Sequence, residues 1–247
     1  MRYKLTVEYL GTGLAGWQKV PTGRSVQAAL EEAALHFCGE TVSVTGAGRT
    51  DAGVHARAQA AHMDLPRPYP PLNIMQGLNY HLAVCGFPGI AVIAAEEAAD
   101  DFHARFSARA RHYCYRIINR RPRLSLEAGR AWHVPWPLHH AAMHDAAQSL
   151  VGHHDFTSFR DSRCQAKSPQ KTVVRLEVKR SGEEILIHAE ARSFLHHQVR
   201  IMVGTLKLVG AGHWTAEDVR AALAARNRAA AGPTAPPDGL YLMKVDY

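Results

Sequence analysis

Cysteine is scarce in this chain, with four residues among 247. They lie far apart, at Cys38, Cys85, Cys114 and Cys164, and no two of them form a CxxC pair. Small secreted scaffolds held by disulfides are much richer in closely spaced cysteines. The sequence therefore predicts free, partly buried thiols in a reducing compartment.

Long apolar runs are also absent, although 47% of the residues are hydrophobic. No stretch approaches the roughly 20 residues that a helix needs to cross a bilayer. The N-terminal residues alternate between polar and apolar side chains, which is not the pattern of a signal-peptide core. We expect a cytoplasmic protein without a membrane partner, folded as one large domain or as two domains of ordinary size.

Metal-ligand spacing is missing too. The chain has 16 histidines, but its doublets at 139–140, 153–154 and 196–197 are poor chelates, because adjacent residues on a helix point in different directions. No HExxH pattern occurs. The sequence therefore predicts no bound metal.

Acidic residues are almost absent from one basic window. Between Arg105 and Arg130 there are eight arginines and one acid, Glu127, so this window alone carries the +7 net charge of the whole chain. Guanidinium groups bind phosphates by paired hydrogen bonds, and aromatic residues are interleaved with them here. A solvated surface is the alternative explanation of any run of charge. The mixture favours a nucleic-acid partner, RNA in particular.

The segment from Gly46 to His55 reads GAGRTDAGVH and follows a short β-type run at 41–45. It places one carboxylate, Asp51, among glycines, which permit unusual turns and the close approach of a ligand. Arg49, two positions earlier, can favour the ionised form of that carboxylate. An Asx-turn, in which Asp51 only hydrogen-bonds its own loop, fits the spacing equally well. Dinucleotide-binding and P-loop motifs are excluded, because their third glycine and Gly-Lys-Ser/Thr are missing.

The string GAGRTDAGVHA resembles the active-site motif of the TruA-type tRNA pseudouridine synthases. Other strings of that family follow in the expected order along nearly the whole chain. They are GWQ at 16–18, RSVQ at 24–27, DFHARFSA at 101–108, DFTSF at 155–159, FLHHQVR at 194–200, GPTAP at 232–236 and GLYL at 239–242. Coincidence does not produce so many ordered matches, so the sequence is identified as similar to this family.

Hydrophobic periodicity predicts an α+β fold in two parts, 1–106 and 107–247. In the first part strands are expected over 2–9, 41–45, 57–64 and 90–95, with one helix from 26 to Gly39 and another over 71–80, the βαββαβ order of a ferredoxin-like sheet. In the second part strands are expected over 111–118, 172–180, 184–192 and 240–246, with helices over 138–151 and 194–209 and a loop over 152–171. The resemblance implies two related ferredoxin-like (RNP-like) halves. Their antiparallel sheets would join into one extended sheet with a central active-site cleft.

The resemblance also implies an isomerase that acts, as a homodimer, on uridines at positions 38, 39 and 40 of the tRNA anticodon arm. Pseudouridine formation breaks the N1–C1′ bond, turns the uracil and rejoins it through C5. It therefore needs an ionised carboxylate but no small-molecule cofactor, redox step or metal. Asp51 corresponds to the catalytic aspartate. The sequence does not separate attack at C1′, addition at C6 and removal of the 2′ proton, since all three use one carboxylate.

Three further residues are assigned to the substrate by the resemblance. Tyr113 matches the active-site tyrosine, which can stack on the flipped uracil, although an alternating strand explains it equally well from pattern alone. Arg200 is expected to pair with Asp51, because an unpaired charge on the apolar helix 194–209 would be costly; a side chain that reaches the surface is the alternative. Arg49 is expected to face the RNA backbone or to help splay the target nucleotide.

One stretch departs from the family pattern. Residues 82–90 stand where a short Leu-Pro-x-Asp-Ile turn is usual, and they are longer and lack the acid; we expect a different loop shape without loss of activity. Two competing functions are weighed. A non-catalytic tRNA-binding protein would keep the arginines without needing Asp51, Tyr113 and Arg200 together. A metal-dependent hydrolase using the histidines would lose its activity to chelators.

Overall fold

A computed structural model describes residues 1–247 and contains two compact units. The first unit comprises Met1–Arg109 and Tyr241–Tyr247, and the second comprises Ala110–Leu240. The elements of the first unit are β1 (Arg2–Tyr9), α1 (Val26–Cys38), β2 (Val44–Gly46), β3 (His55–Asp64), α2 (Pro71–Val84) and β4 (Ile90–Glu97). Those that follow are β5 (Ala110–Ile118), β6 (Trp132–His133), α3 (His140–Gln148), β7 (Gly152–Asp155), β8 (Gln170–Ser181), β9 (Glu184–Ala191), α4 (Gln198–Gly210), α5 (Ala216–Ala225) and β10 (Leu240–Asp246).

The first unit is built on β3, which has β1 on one side and β2 on the other, both antiparallel to it. The strand β4 pairs antiparallel with the far edge of β1. Burial alternates residue by residue along β1, so the half-buried strand predicted from its pattern is confirmed. The βαββαβ order predicted for this half is also confirmed.

Local end signals set the bounds of α1. The side chain of Ser25 accepts a hydrogen bond from the N–H of Ala28 at 3.3 Å, as an N-cap residue does. Gly39 ends the helix in the left-handed conformation with φ of 80°, and its N–H donates to the carbonyl of Leu35. Both ends lie where the sequence predicts them.

The second unit is built on the antiparallel strands β5, β9, β8 and β7, in that order, with β6 parallel to the end of β5. The helix α4 packs into its core through Ile201, Met202, Val203 and Leu206, all with no exposed surface. The α+β class predicted from the sequence is confirmed. Among the helices of the structure, none combines the length and hydrophobicity needed to span a bilayer.

Several predicted bounds differ from the structure. The helix predicted over 194–209 begins only at Gln198, because residues 194–197 form a turn in which His197 has a φ of 62°. The loop predicted over 152–171 contains β7, which pairs with β8, and a 3₁₀ turn. The strand β6 is missed because two residues carry no periodicity.

The final strand also differs from its predicted assignment. The sequence groups residues 240–246 with the second part of the chain, whereas Tyr241–Tyr247 belong to the first unit. Tyr241 and Leu242 of β10 pair in parallel with His55 and Ala56 at the start of β3. This pairing reaches across almost 200 residues of sequence, so no local pattern announces it.

Candidate active site

The loop between β2 and β3 carries Asp51 and is fixed by hydrogen bonds on both sides of it. The N–H of Trp17 donates to the carbonyl of Thr50 at 3.1 Å. The hydroxyl of Thr50 lies 2.8 Å from that of Tyr9, and the side-chain amide of Gln59 donates to the carbonyl of Gly48 at 2.9 Å. A residue in this loop is held in one place before any substrate binds, as a catalytic side chain must be.

Two glycines let these segments approach each other. A Cβ at Gly16, which has a φ of 96°, would lie 2.5 Å from the carbonyl oxygen of Thr50. A Cβ at Gly46 would lie 2.4 Å from the indole ring of Trp17, which is 3% exposed. The segments GWQ and GAG therefore pack directly against each other, and this packing fixes the position of the loop.

The other end of the loop is closed by His55. Its Nδ1 accepts the N–H of Gly11 at 2.9 Å, and its ring stacks on that of Tyr241 at a centroid distance of 4.6 Å. His55 is 1% exposed. Sequence reasoning missed both His55 and Trp17 as supports of the loop, although each stands inside a string that carries the family resemblance.

Asp51 and Arg49 lie in different environments on this loop. Asp51 is half-buried, and its carbonyl accepts the N–H of Val54 at 3.1 Å, which closes the turn. Arg49 is exposed. The loop thus offers a carboxylate that is partly withdrawn from water and a guanidinium that is exposed to water.

In the second unit, two neighbouring tyrosines of β5 have different environments. Tyr113 is half-buried, and its ring meets that of Phe194 edge to face at 5.5 Å. Tyr115 is fully buried, and its hydroxyl donates to the carbonyl of Pro236 at 2.7 Å. Burial raises the pKa of the Tyr115 phenol well above its usual range. Tyr115 therefore belongs to the core, which leaves Tyr113 as the tyrosine available to a substrate.

Arg200 lies in the first turn of α4 and is half-buried. Its Nε donates to the carbonyl of Ala235 at 2.8 Å, and the N–H of Ala235 donates back to the carbonyl of Arg200 at 3.0 Å. A Cβ at Gly204 would lie 1.8 Å from the carbonyl oxygen of Pro233. The segment GPTAP therefore packs directly against α4, and Ala235 within it holds the Nε of Arg200 by a hydrogen bond.

His196 lies before the start of α4, so it does not share a helical face with Arg200. The turn before α4 is instead held by Asp161. The carboxylate of Asp161 accepts from Nδ1 of His197 at 2.8 Å and from the N–H of Arg163 at 2.9 Å. Burial alone would raise the pKa of Asp161, but these hydrogen bonds and the charge of His197 hold it well below its usual range.

The arginine-rich window divides into structural and exposed members. Arg116 forms an ion pair with Glu184 at 2.5 Å, and Arg120 forms one with Glu183 at 3.1 Å. Arg111 is 8% exposed and donates to the carbonyl of Arg192. The exposed arginines of the window are Arg105, Arg109, Arg121, Arg123 and Arg130, and Lys167 is an exposed basic residue outside it. Only part of the basic window is therefore available to a polyanion.

Comparisons with known proteins agree with the resemblance. Residues 146–247 match the sequence model of a family described as tRNA pseudouridine synthase. The tRNA pseudouridine synthase A of Rhizobium meliloti (strain 1021) is 58% identical over 246 residues, which cover 100% of this chain and 99% of that protein. The proteins of the same name from Rhodopseudomonas palustris (strain BisA53) and Sinorhizobium medicae (strain WSM419) are 60% and 57% identical, with the same coverage. The chain therefore belongs to the tRNA pseudouridine synthase A family.

Proposed function

We propose that this enzyme isomerises uridines at positions 38, 39 and 40 of the tRNA anticodon arm, with Asp51 as its catalytic carboxylate. Membership of the family makes the chain a tRNA-modifying isomerase. The observation that carries the residue assignment is the loop between β2 and β3. Its contacts at Gly48, Thr50 and His55 hold the segment on both sides of one half-buried carboxylate.

The chemistry is balanced without any other reactant. The N1–C1′ bond of the uridine breaks, the uracil turns, and a C5–C1′ bond forms. The hydrogen at C5 is released to water, and N1 takes up a proton. Attack by Asp51 at C1′, its addition at C6 and removal of the 2′ proton all place the same carboxylate beside the same nucleotide.

Tyr113 is proposed to stack on the extruded uracil. Enzymes that act on a base inside a folded nucleic acid extrude it, and an aromatic ring offers the flipped base a flat surface. Tyr113 is half-buried and its ring meets that of Phe194 in an edge-to-face contact, whereas the ring and hydroxyl of Tyr115 are used in the core.

The two arginines are proposed to act on different parts of the substrate complex. Arg200 is the proposed source of the positive charge that keeps the carboxylate of Asp51 ionised, since a guanidinium favours the charged form of a carboxylate. Arg49 is exposed and is proposed to contact the RNA backbone or to help extrude the nucleotide. The family resemblance supports both assignments.

The RNA backbone is proposed to lie against the exposed arginines and Lys167. Contacts of this kind release counterions, so binding should weaken as salt is raised. A homodimer that binds one tRNA across both subunits, and a cytoplasmic location, complete the proposal; both are supported by the family resemblance.

The assignment of Asp51 is tested by tritium release from tRNA that carries 5-tritiated uridine. We expect Asp51→Asn and Asp51→Ala to abolish release while tRNA binding, measured by filter retention, stays close to that of the unchanged enzyme. Asp101→Asn, which alters an exposed acid of the same unit, serves as the matched control and should retain activity. Substantial tritium release by either Asp51 variant would exclude Asp51 as the catalytic group.

A further inference from the structure

Two helices of the first unit bring three metal-ligating side chains together, with a further histidine beside them. Glu32 and His36 are one turn apart on α1, and His81 and Cys85 are one turn apart at the end of α2. The ligand atoms of Glu32, His36 and Cys85 all lie within 4.8 Å of one another. The rings of His36 and His81 face each other at a centroid distance of 5.6 Å and an interplanar angle of 25°.

The four-residue spacing within each pair allows its two side chains to bind the same metal ion. Residues four apart on a helix lie on the same face, one above the other. Each helix therefore presents two ligands to its neighbour, unlike the adjacent histidine pairs elsewhere in the chain. Carboxylate, imidazole and thiolate are all ligands of Zn²⁺, which is bound in proteins by four such groups in a tetrahedron.

The distances between the ligand atoms of Glu32, His36 and Cys85 are close to those that a bound ion requires. Ligand atoms about 2.0–2.3 Å from zinc lie roughly 3.5 Å from one another in a tetrahedron, so movements of about 1 Å suffice for these three side chains. His81, whose ring faces that of His36, would join them by rotation of its side chain. Glu32 and His36 are exposed, and His81 and Cys85 are half-buried. The four side chains can therefore move without disturbing the core.

We propose that Glu32, His36, His81 and Cys85 form a binding site for Zn²⁺ that joins α1 to α2. On binding, the thiol of Cys85 gives its proton to solvent and the sulfur bonds to the cation as thiolate. Thiolate and imidazole ligands select a zinc-class ion over Mg²⁺ or Ca²⁺. The isomerisation itself needs no metal, so the site contributes stability to the first unit.

The position of α1 explains why such a link matters. The N–H groups of Val26 and Gln27, at the start of α1, donate to the carbonyls of Gly16 and Trp17. That segment in turn holds Thr50 in the loop that carries Asp51. A cation between α1 and α2 ties the helix that supports this loop to the rest of the unit.

Cobalt absorption tests the site directly, because Co²⁺ occupies zinc sites and a thiolate ligand adds a charge-transfer band. We expect the purified chain to bind one Co²⁺ with this band and with the d–d bands of a tetrahedral ion, and Zn²⁺ to displace it. Cys85→Ser should remove the charge-transfer band. His36→Ala should weaken Zn²⁺ binding by more than the ~10–100-fold that loss of an outer-shell partner costs.

The matched control is Cys38→Ser, which alters a thiol at the end of the same helix and should leave the spectrum unchanged. Zn²⁺ should raise the melting temperature of the unchanged chain but not that of Cys85→Ser. Absence of a charge-transfer band, or its persistence in Cys85→Ser, would overturn the proposal. Neither result bears on tritium release, so the outcome is independent of the assignment of Asp51.

Discussion

The carboxylate of Asp161 accepts a 2.8 Å hydrogen bond from Nδ1 of His197, the residue immediately before α4. The N–H of Asp161 also donates to the carbonyl of His196 at 3.0 Å. His197 has a φ of 62°, a conformation that costs energy in a residue other than glycine. Asp161 therefore holds in place the strained turn from which α4 starts, and Arg200 follows within that first turn.

Replacing Asp161 should misplace Arg200. In Asp161→Ala the partly buried ring of His197 loses its acceptor, which costs about 1–3 kcal/mol, and the exposed N–H of Arg163 loses one as well. We expect a lower melting temperature and a lower single-turnover rate with little change in tRNA affinity. Asp161→Asn keeps an acceptor oxygen and should recover part of the rate. Equal rates for the unchanged enzyme and Asp161→Ala would show that this turn does not position Arg200.

A methyl group at position 46 should disrupt the loop that carries Asp51. In Gly46→Ala the new Cβ would lie 2.4 Å from the indole of Trp17, which is buried and cannot move away. Overpacking of this kind costs about 1–3 kcal/mol. We expect a lower melting temperature and slower tritium release, because Trp17 also holds Thr50.

Two variants check that explanation. Gly89→Ala places its Cβ 3.8 Å from the nearest atom, on Leu10, and should change neither quantity. Trp17→Phe removes one ring of the clashing side chain, so adding it to Gly46→Ala should restore part of the stability. If the double variant is no more stable than Gly46→Ala, the clash is not the cause.

Stability should fall as the pH is lowered through the ordinary pKa of histidine, partly because of His62. Its ring is 7% exposed, and its Nδ1 accepts the N–H of Ala104 at 3.1 Å. Burial, followed by the charges of Arg2 and His103, lowers the pKa of His62 below 6.5. The unfolded chain therefore takes up the proton at a higher pH than the folded chain does. The contribution of His62 to stability is therefore fully present above pH 6.5 and is lost as the pH falls from 6.5 through the lower pKa of the folded chain.

Melting temperatures across this pH range give the test. His62→Asn keeps an acceptor near the position of Nδ1 but cannot be protonated, so its melting temperature should fall less steeply with acid. A smaller fall remains because burial also lowers the pKa of His188. His213→Asn, at an exposed position, should behave like the unchanged chain. A His62→Asn profile parallel to that of the unchanged chain would refute this prediction.

The two tyrosines of β5 should respond differently to loss of the hydroxyl. Tyr115→Phe leaves the partly buried carbonyl of Pro236 without its donor, which costs about 1–3 kcal/mol and should lower the melting temperature. Tyr113→Phe keeps the ring that is proposed to stack on uracil, so it should bind tRNA normally and slow turnover only if the hydroxyl takes part. Tyr113→Ala should abolish turnover. If the Tyr113→Ala enzyme is active, the assignment of Tyr113 to the active site is wrong.

Substitution of Arg121 should weaken RNA binding without changing stability, and substitution of Arg116 should lower stability. Arg121 is exposed, with its guanidinium over the ring of Trp136 at 5.5 Å. Arg121→Gln should reduce the slope of log K against log salt by about 1 with no change in melting temperature. Arg116→Gln loses the ion pair with Glu184 and should lower the melting temperature instead. The reverse pattern would contradict the division of the basic window.

The elements predicted best are those whose signals are local. Alternation fixes β1, and Ser25 and Gly39 fix the ends of α1. A capping box at Thr215, with Asp218 as its reciprocal partner, likewise opens α5 through contacts only three residues apart. The predictions that failed concern the start of α4 and the content of the loop at 152–171. Their structures depend on Asp161 and on pairing with β8.

The sequence by itself determined the family, the α+β class and the identity of the candidate carboxylate, because strings of residues and helix caps act over a few positions. The tertiary structure alone decided that Trp17, Tyr9 and Gln59 hold the loop of Asp51, that Tyr115 is used in the core, and that Arg116 is neutralised. It also brought Glu32 next to Cys85. These are contacts between segments distant in the chain, and their energy depends on packing that no local pattern encodes.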